Sequence, residues 1–148
     1  MTLTRLAMVG TLAATLGFGG CASMSSTPGR APQTWTLNTT ATAPAAAQGQ
    51  LKVSAQKNGN TGLKVEVEHL APPSSINQEA STYVVWLRPA AGFPQNVGVL
   101  HLNDKNEGKL DTQTPFKSFE VMVTAEMTPF ATAPSADRVM TAQVVVPT

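Results

Sequence analysis

Between Gln50 and Val146, large apolar residues recur at every second position in short runs, and glycine, proline or asparagine closes most of them. A period of two sends alternate side chains to opposite faces, the geometry of a half-buried β-strand. The 3.6-residue period of an amphipathic helix is absent after residue 20. Leu51, Val53 and Ala55 alternate with Lys52, Ser54 and Gln56, and Leu63, Val65 and Val67 alternate with Lys64, Glu66 and Glu68. Between the two runs stands Asn58-Gly59, a dipeptide that supplies the positive backbone angles of a tight turn. These runs are expected to pair as an antiparallel hairpin.

Pro72-Pro73 removes two ladder donors and ends the second strand. Segments 81–88, 97–102, 109–114, 119–126 and 138–146 bring the set to seven strands, divided by Gly92-Phe93-Pro94-Gln95, a short loop at 104–108 and a longer loop at 127–137. Closely spaced strands without helices predict one all-β domain, a seven-stranded antiparallel β-sandwich over residues 50–148. Its core is expected to collect Leu63, Val65, Val67, Val84, Trp86, Phe119, Val121 and Val123. A one-residue slip in the third strand would exchange its buried set for the neighbouring one.

Residues 21–49 are rich in Ala, Thr, Ser, Pro and Gln and hold too few large apolar side chains for a core, so they are expected to form a flexible tether. One island interrupts them. Thr34-Trp35-Thr36-Leu37 alternates as a strand does, and Trp35 is costly to leave in water, so the island is expected to dock on the domain edge.

Ahead of the tether, residues 1–20 read as a secretory leader. Arg5 is the early positive charge, an apolar and small-residue run extends from Leu6 to Phe18, and Gly19-Gly20 precedes Cys21. The run is shorter than the roughly 20 apolar residues that cross a bilayer. Cys21 is the sole cysteine, so no internal disulfide can form. The segment Phe18-Gly19-Gly20-Cys21 resembles the lipobox of bacterial lipoproteins, with Phe18 where Leu is commonest. That resemblance implies cleavage before Cys21, acylation of its thiol and attachment to the membrane through the lipid. Two or more acyl chains hold stably where one holds marginally. Ala22 stands where Asp would retain a lipoprotein at the inner membrane, so in a diderm host the periplasmic face of the outer membrane is favoured.

The chain holds ten Lys and Arg against nine Asp and Glu, and loss of Arg5 with the leader brings the charge near zero. Net charge therefore points to neither nucleic acid nor an anionic membrane surface as an electrostatic partner. The expected partners are the membrane, through the lipid, and an envelope protein or glycan.

Two strands resemble a known family. Thr82-Tyr83-Val84-Val85-Trp86-Leu87 resembles the Tyr-x-x-Trp-Leu strand in the extracytoplasmic domain of anti-sigma factors of the sigma-K-regulating type. Phe119-Glu120-Val121-Met122-Val123-Thr124-Ala125-Glu126 is similar to that domain's Phe-x-Val-Thr-x-Glu strand. Residues 50–147 also look like small bacterial envelope proteins that carry the same strands. The resemblance implies an Ig-like sandwich. The helical cytoplasmic domain and membrane span of an anti-sigma factor are not seen, so its implication for activity is limited to an alternative role as an accessory sensor of envelope stress.

Candidate chemistry is sparse. His69 and His101 fall outside any ligand-spaced cluster, and Met122, Met127 and Met140 could serve Cu(I) only if folding gathers them. Ser74, Ser75 and Ser118 lack nucleophile-elbow glycines. Glu66, Glu68, Glu120 and Glu126 alternate with core positions and are expected on the wet faces of strands. The reading is a non-catalytic binding or structural module without a cofactor, with metal binding as a further alternative. Loops 71–80, 89–95 and 127–137 are its candidate contact surfaces.

Overall fold

The computed structural model describes residues 30–147. Eight strands run in chain order: β1 (Gln33–Thr39), β2 (Gln48–Ala55), β3 (Thr61–Glu68), β4 (Thr82–Pro89), β5 (Gln95–Leu102), β6 (Gly108–Thr114), β7 (Ser118–Glu126) and β8 (Arg138–Val145). One turn of helix, α1 (Pro73–Ile76), lies between β3 and β4, where Pro73 occupies an early helical position that needs no N–H donor. All paired strands are antiparallel, and they close into a barrel in the order β1-β2-β3-β6-β5-β4-β7-β8.

The all-β class stands, but the expected seven-stranded open sandwich is replaced by a closed eight-stranded barrel. Two strands make the difference. The island around Trp35 is the centre of a full strand: residues 33–37 of β1 pair with β2, and Asn38 and Thr39 pass over to β8. Likewise β5 pairs with β4 over most of its length, and its last residues, His101 and Leu102, join β6. Each strand therefore belongs to two walls and removes an edge that a sandwich would expose. In β5 the corner is eased at Gly98, whose φ of 148° falls beside a register shift opposite Val85 and Trp86. The segment expected as a tether thus enters the barrel from Gln33 onward.

The expected antiparallel β2–β3 hairpin forms, with Leu51 opposite Val65 and Val53 opposite Leu63. Its turn differs in detail. Gln56 N–H donates to the Asn60 carbonyl at 2.9 Å and Gly59 N–H to the Gln56 carbonyl at 3.0 Å. Only Gly59, at φ 82°, is left-handed in that turn. This is a three-residue loop ending in a left-handed residue, rather than a two-residue turn with both angles positive.

The interior is filled by side chains from every wall, among them Leu37, Leu51, Val65, Val67, Tyr83, Val85, Leu87, Leu100, Phe119, Val121, Val123 and Val144. The expected core holds in β3 and β7 but not in β4. Tyr83, Val85 and Leu87 face inward, whereas Val84 and Trp86 face out and join Met122 in a second buried cluster. Because β4 is apolar on both faces, alternation could not choose between them.

Strand directions define two ends. The basal end carries residues 30–32, where the chain comes into the barrel, the turns 56–60, 90–94 and 115–117, and the exit at 146–147. Arg30 bridges that end by donating to the Pro147 carbonyl at 3.2 Å. The apical end carries the connections 40–47, 69–81, 103–107 and 127–137.

Candidate functional site

Three places on the barrel's exterior concentrate polar chemistry. The first is a groove of about 480 Å³ across β2, β3 and β6, lined by Pro32, Lys52, Ser54, Gln56, Lys64, Asp111 and Gln113. Outward positions of the three strands supply its walls, and Gly62 leaves a gap in its floor. A Cβ at Gly62 would come within 2.1 Å of Gln56 Nε2, so the Gln56 amide lies directly over the glycine. There Gln56 Nε2 donates to Ser54 Oγ at 2.9 Å, while Gln113 Oε1 accepts from Asn58 Nδ2 at 3.2 Å.

Further along the same face, Glu66 accepts from Lys52 Nζ at 2.5 Å and has Lys109 and Lys64 at 3.6 and 3.9 Å. The Lys52 hydrogen bond holds the Glu66 carboxyl below its usual range despite some desolvation, and the three ammonium charges add to that. Three lysines around one glutamate leave this face rich in donors.

The second place is the outer face of β4 and β7. Arg88 and Glu120 are direct cross-strand partners and form an ion pair, and Arg138 of β8 lies 3.8 Å from the other Glu120 oxygen. With its side chain 9 % exposed, Glu120 is clamped between two guanidinium groups rather than standing on a wet face. Glu126 is also buried, and it accepts from the Thr124 hydroxyl and from Ser135 N–H at 2.8 Å. Trp86 completes this chain as a donor to Thr124. The loop 127–137 is thereby pulled across the outer face, and Asn96 Nδ2 holds its Pro129 and Ala131 carbonyls at 2.9 and 3.2 Å.

The third place is an apical cleft lined by Pro72, Thr82, Tyr83, His101, Asn103 and Asn106. Inside it the Tyr83 hydroxyl donates to the Ala71 carbonyl at 2.7 Å. His101 is exposed on β5, and His69 sits just beyond β3 at φ 55°. Among the described residues, no three His, Cys, Asp or Glu side chains gather at metal-binding distance. The methionines are dispersed as well: Met140 is in the interior, Met122 beneath the 127–137 loop, and Met127 is 64 % exposed.

Ser74 and Ser75 stand exposed on α1, far from Ser118 at the basal start of β7. Of the candidate contact loops, 71–80 and 127–137 are joined apically by Asn77 donating to Asp137 at 2.8 Å, whereas 89–95 lies at the basal end. Cys21 and its glycines lie outside the described residues. The groove residues Ser54, Gln56 and Gln113 were not among the candidates. Their signal was the polar half of each alternating strand, which marks exposure without marking a concavity. No protein-family model matches the chain, and no match is found among curated proteins.

Proposed function

We propose that the protein is a lipid-anchored module of the cell envelope that binds a polar partner rather than catalysing a reaction. The observation that carries this reading is the sole cysteine, placed directly after Phe18-Gly19-Gly20 behind an apolar leader. The barrel supports it from the other side. Its interior is occupied by side chains, so a partner meets the exterior, where the groove across β2, β3 and β6 offers amides, hydroxyls and lysines that suit a glycan or a polar protein segment.

Metabolic labelling with a clickable fatty acid, followed by membrane fractionation, tests the anchor. The wild-type chain should take label and sediment with membranes, and Cys21→Ser should lose both. Wild-type protein that takes no label and stays with soluble periplasmic proteins overturns the reading. Pull-down from envelope extract then tests the groove, with Gln56→Ala/Gln113→Ala expected to lose the partner that wild type retains.

A further inference from the structure

Charge is segregated along the barrel axis. The basal segments 30–32, 56–60, 90–94, 115–117 and 146–147 contain Arg30, Lys57 and Lys117 and no acidic side chain. None of these three cations pairs with a carboxylate among the described residues. Lys117 is held in place by the Gly59 carbonyl at 2.7 Å and the Thr61 hydroxyl at 3.2 Å, which ties two basal turns together and leaves its charge uncompensated. The apical connections carry Glu79, Asp104, Glu107 and Asp137 against Lys105. A near-neutral total therefore hides a strongly polarised molecule.

The basal end also exposes apolar surface. Phe93 is 89 % exposed at the tip of the β4–β5 turn, and Val145 is 65 % exposed where β8 ends. An exposed aromatic ring that shares one end of the barrel with uncompensated cations matches the interface of an anionic bilayer, where rings sit at headgroup level and cations meet phosphate.

Residues 1–29 join the barrel at this end. From Cys21 to Gln33 the chain spans at most about 40 Å when fully extended. An eight-residue strand is about 26 Å long, so presenting the apical end to a bilayer that holds Cys21 would use most of that reach.

We propose that the basal end of the barrel lies against an anionic membrane surface, with Phe93 among the headgroups and Arg30, Lys57 and Lys117 facing their phosphates. The groove over β2, β3 and β6 then stands upright beside the membrane, open to the envelope space. This proposal rests on the reading of Cys21 as the lipid-bearing residue.

Because that reading leaves no free thiol, a single introduced cysteine can carry a spin label. Ala91→Cys reports the basal end beside Phe93, and Lys105→Cys reports the apical end. Full-length protein is reconstituted in phosphatidylglycerol-containing vesicles, and collision with a water-soluble relaxation agent is measured at both sites. The basal label should be shielded several-fold relative to the apical one. Lys57→Glu/Lys117→Glu should return it to water, each lost lysine weakening contact by about fivefold, and vesicles of phosphatidylcholine alone should do the same.

Equal water access at residues 91 and 105, or shielding at 105 only, overturns the proposal. Intact mass of the wild-type chain reports the lipid separately, so an anchored barrel with an exposed basal end refutes this orientation and leaves the anchor standing. If the mass shows no lipid, the anchor reading falls, and the same comparison in a Cys21→Ser background, with vesicles added to the free protein, decides whether the basal end binds them.

Discussion

Trp86 donates its indole N–H to the Thr124 hydroxyl at 2.8 Å across the β4–β7 pair, on the outside of the barrel yet fully buried. The Thr124 hydroxyl in turn donates to Glu126, and Glu126 accepts from Ser135 in the loop that covers them. A wall of the barrel has thus acquired a second small core by folding a loop over it. The polar chain through Thr124 joins loop to wall.

Thr124→Val tests that link, since it keeps the shape and removes the hydroxyl. The indole N–H is left without a partner and Glu126 loses a donor, and an unsatisfied buried group costs about 1–3 kcal/mol. Urea unfolding should show a loss of about 2 kcal/mol. Susceptibility to protease within 127–137 should rise with it, because the loop's attachment is weakened. An unchanged midpoint would mean that the loop is held by other contacts.

Membership of β1 in the barrel makes a second prediction. Leu37 is buried against the interior, and Gly49 opposite it leaves no room for a side chain: a Cβ there would come within 2.7 Å of both Leu37 Cβ and Met140 Sδ. Leu37→Ala should cost about 2–4 kcal/mol in denaturant unfolding, as removal of a buried leucine does. Were residues 33–39 part of a solvated tether, the same change would leave stability untouched.

How far the fold could be read from the chain depended on whether one face of a strand was polar. The hairpin of β2 with β3 was legible because polar residues, Lys52 and Ser54 in one strand and Lys64, Glu66 and Glu68 in the other, mark one face of each. In β4 the run Tyr83-Val84-Val85-Trp86-Leu87 carries no such mark, and the outward set is buried by a loop distant in sequence. Glu120 and Glu126 misled in the opposite sense, since their burial depends on Arg88, Arg138 and Ser135, partners that alternation does not reveal. Closure was the least legible feature. It rests on two short seams, Asn38 and Thr39 with β8 and His101 and Leu102 with β6, where a strand leaves one neighbour for another partway along its length. The basal charge cluster was invisible for a related reason: its residues come from turns far apart in sequence.

The clamp on Glu120 should be worth a modest amount. Arg88 and Arg138 have side chains 45 % and 38 % exposed, so water screens the attraction, although Glu120 itself is buried. Glu120→Gln should therefore destabilise by about 1 kcal/mol, less than a fully buried pair would lose. The difference from wild type should shrink as salt is raised in paired unfolding curves.

Acid should weaken the β2–β3–β6 face through Glu66. Its carboxyl is held below the ordinary value of 4.5, first by the Lys52 hydrogen bond. The folded state therefore binds the proton less readily than the unfolded chain. The stabilisation is complete above the unfolded value and is lost as pH falls from about 4.5 through the lowered folded one. Comparing wild type with Glu66→Gln across that range isolates the effect, because the glutamine chain lacks this titration. Parallel stability curves for the two would remove Lys52 as the cause.

Alkali provides the clearest reading, because Tyr83 is the only tyrosine. Burial pushes its phenol from 10.0 to about 12, and the hydroxyl donates to the Ala71 carbonyl at 2.7 Å, a bond that the phenolate could not make. In the unfolded chain the group ionises near 10.0, so from there to about 12 the unfolded state has already released a proton that the folded state retains. Stability should be flat with respect to this group below 10 and fall as pH rises across that interval. Absorbance titration near 295 nm, about where phenolate absorbs apart from phenol, should show a single step near 12 in folded protein and near 10 in urea. A folded-state step near 10 would place the Tyr83 hydroxyl in water and remove it from the apical end of the core.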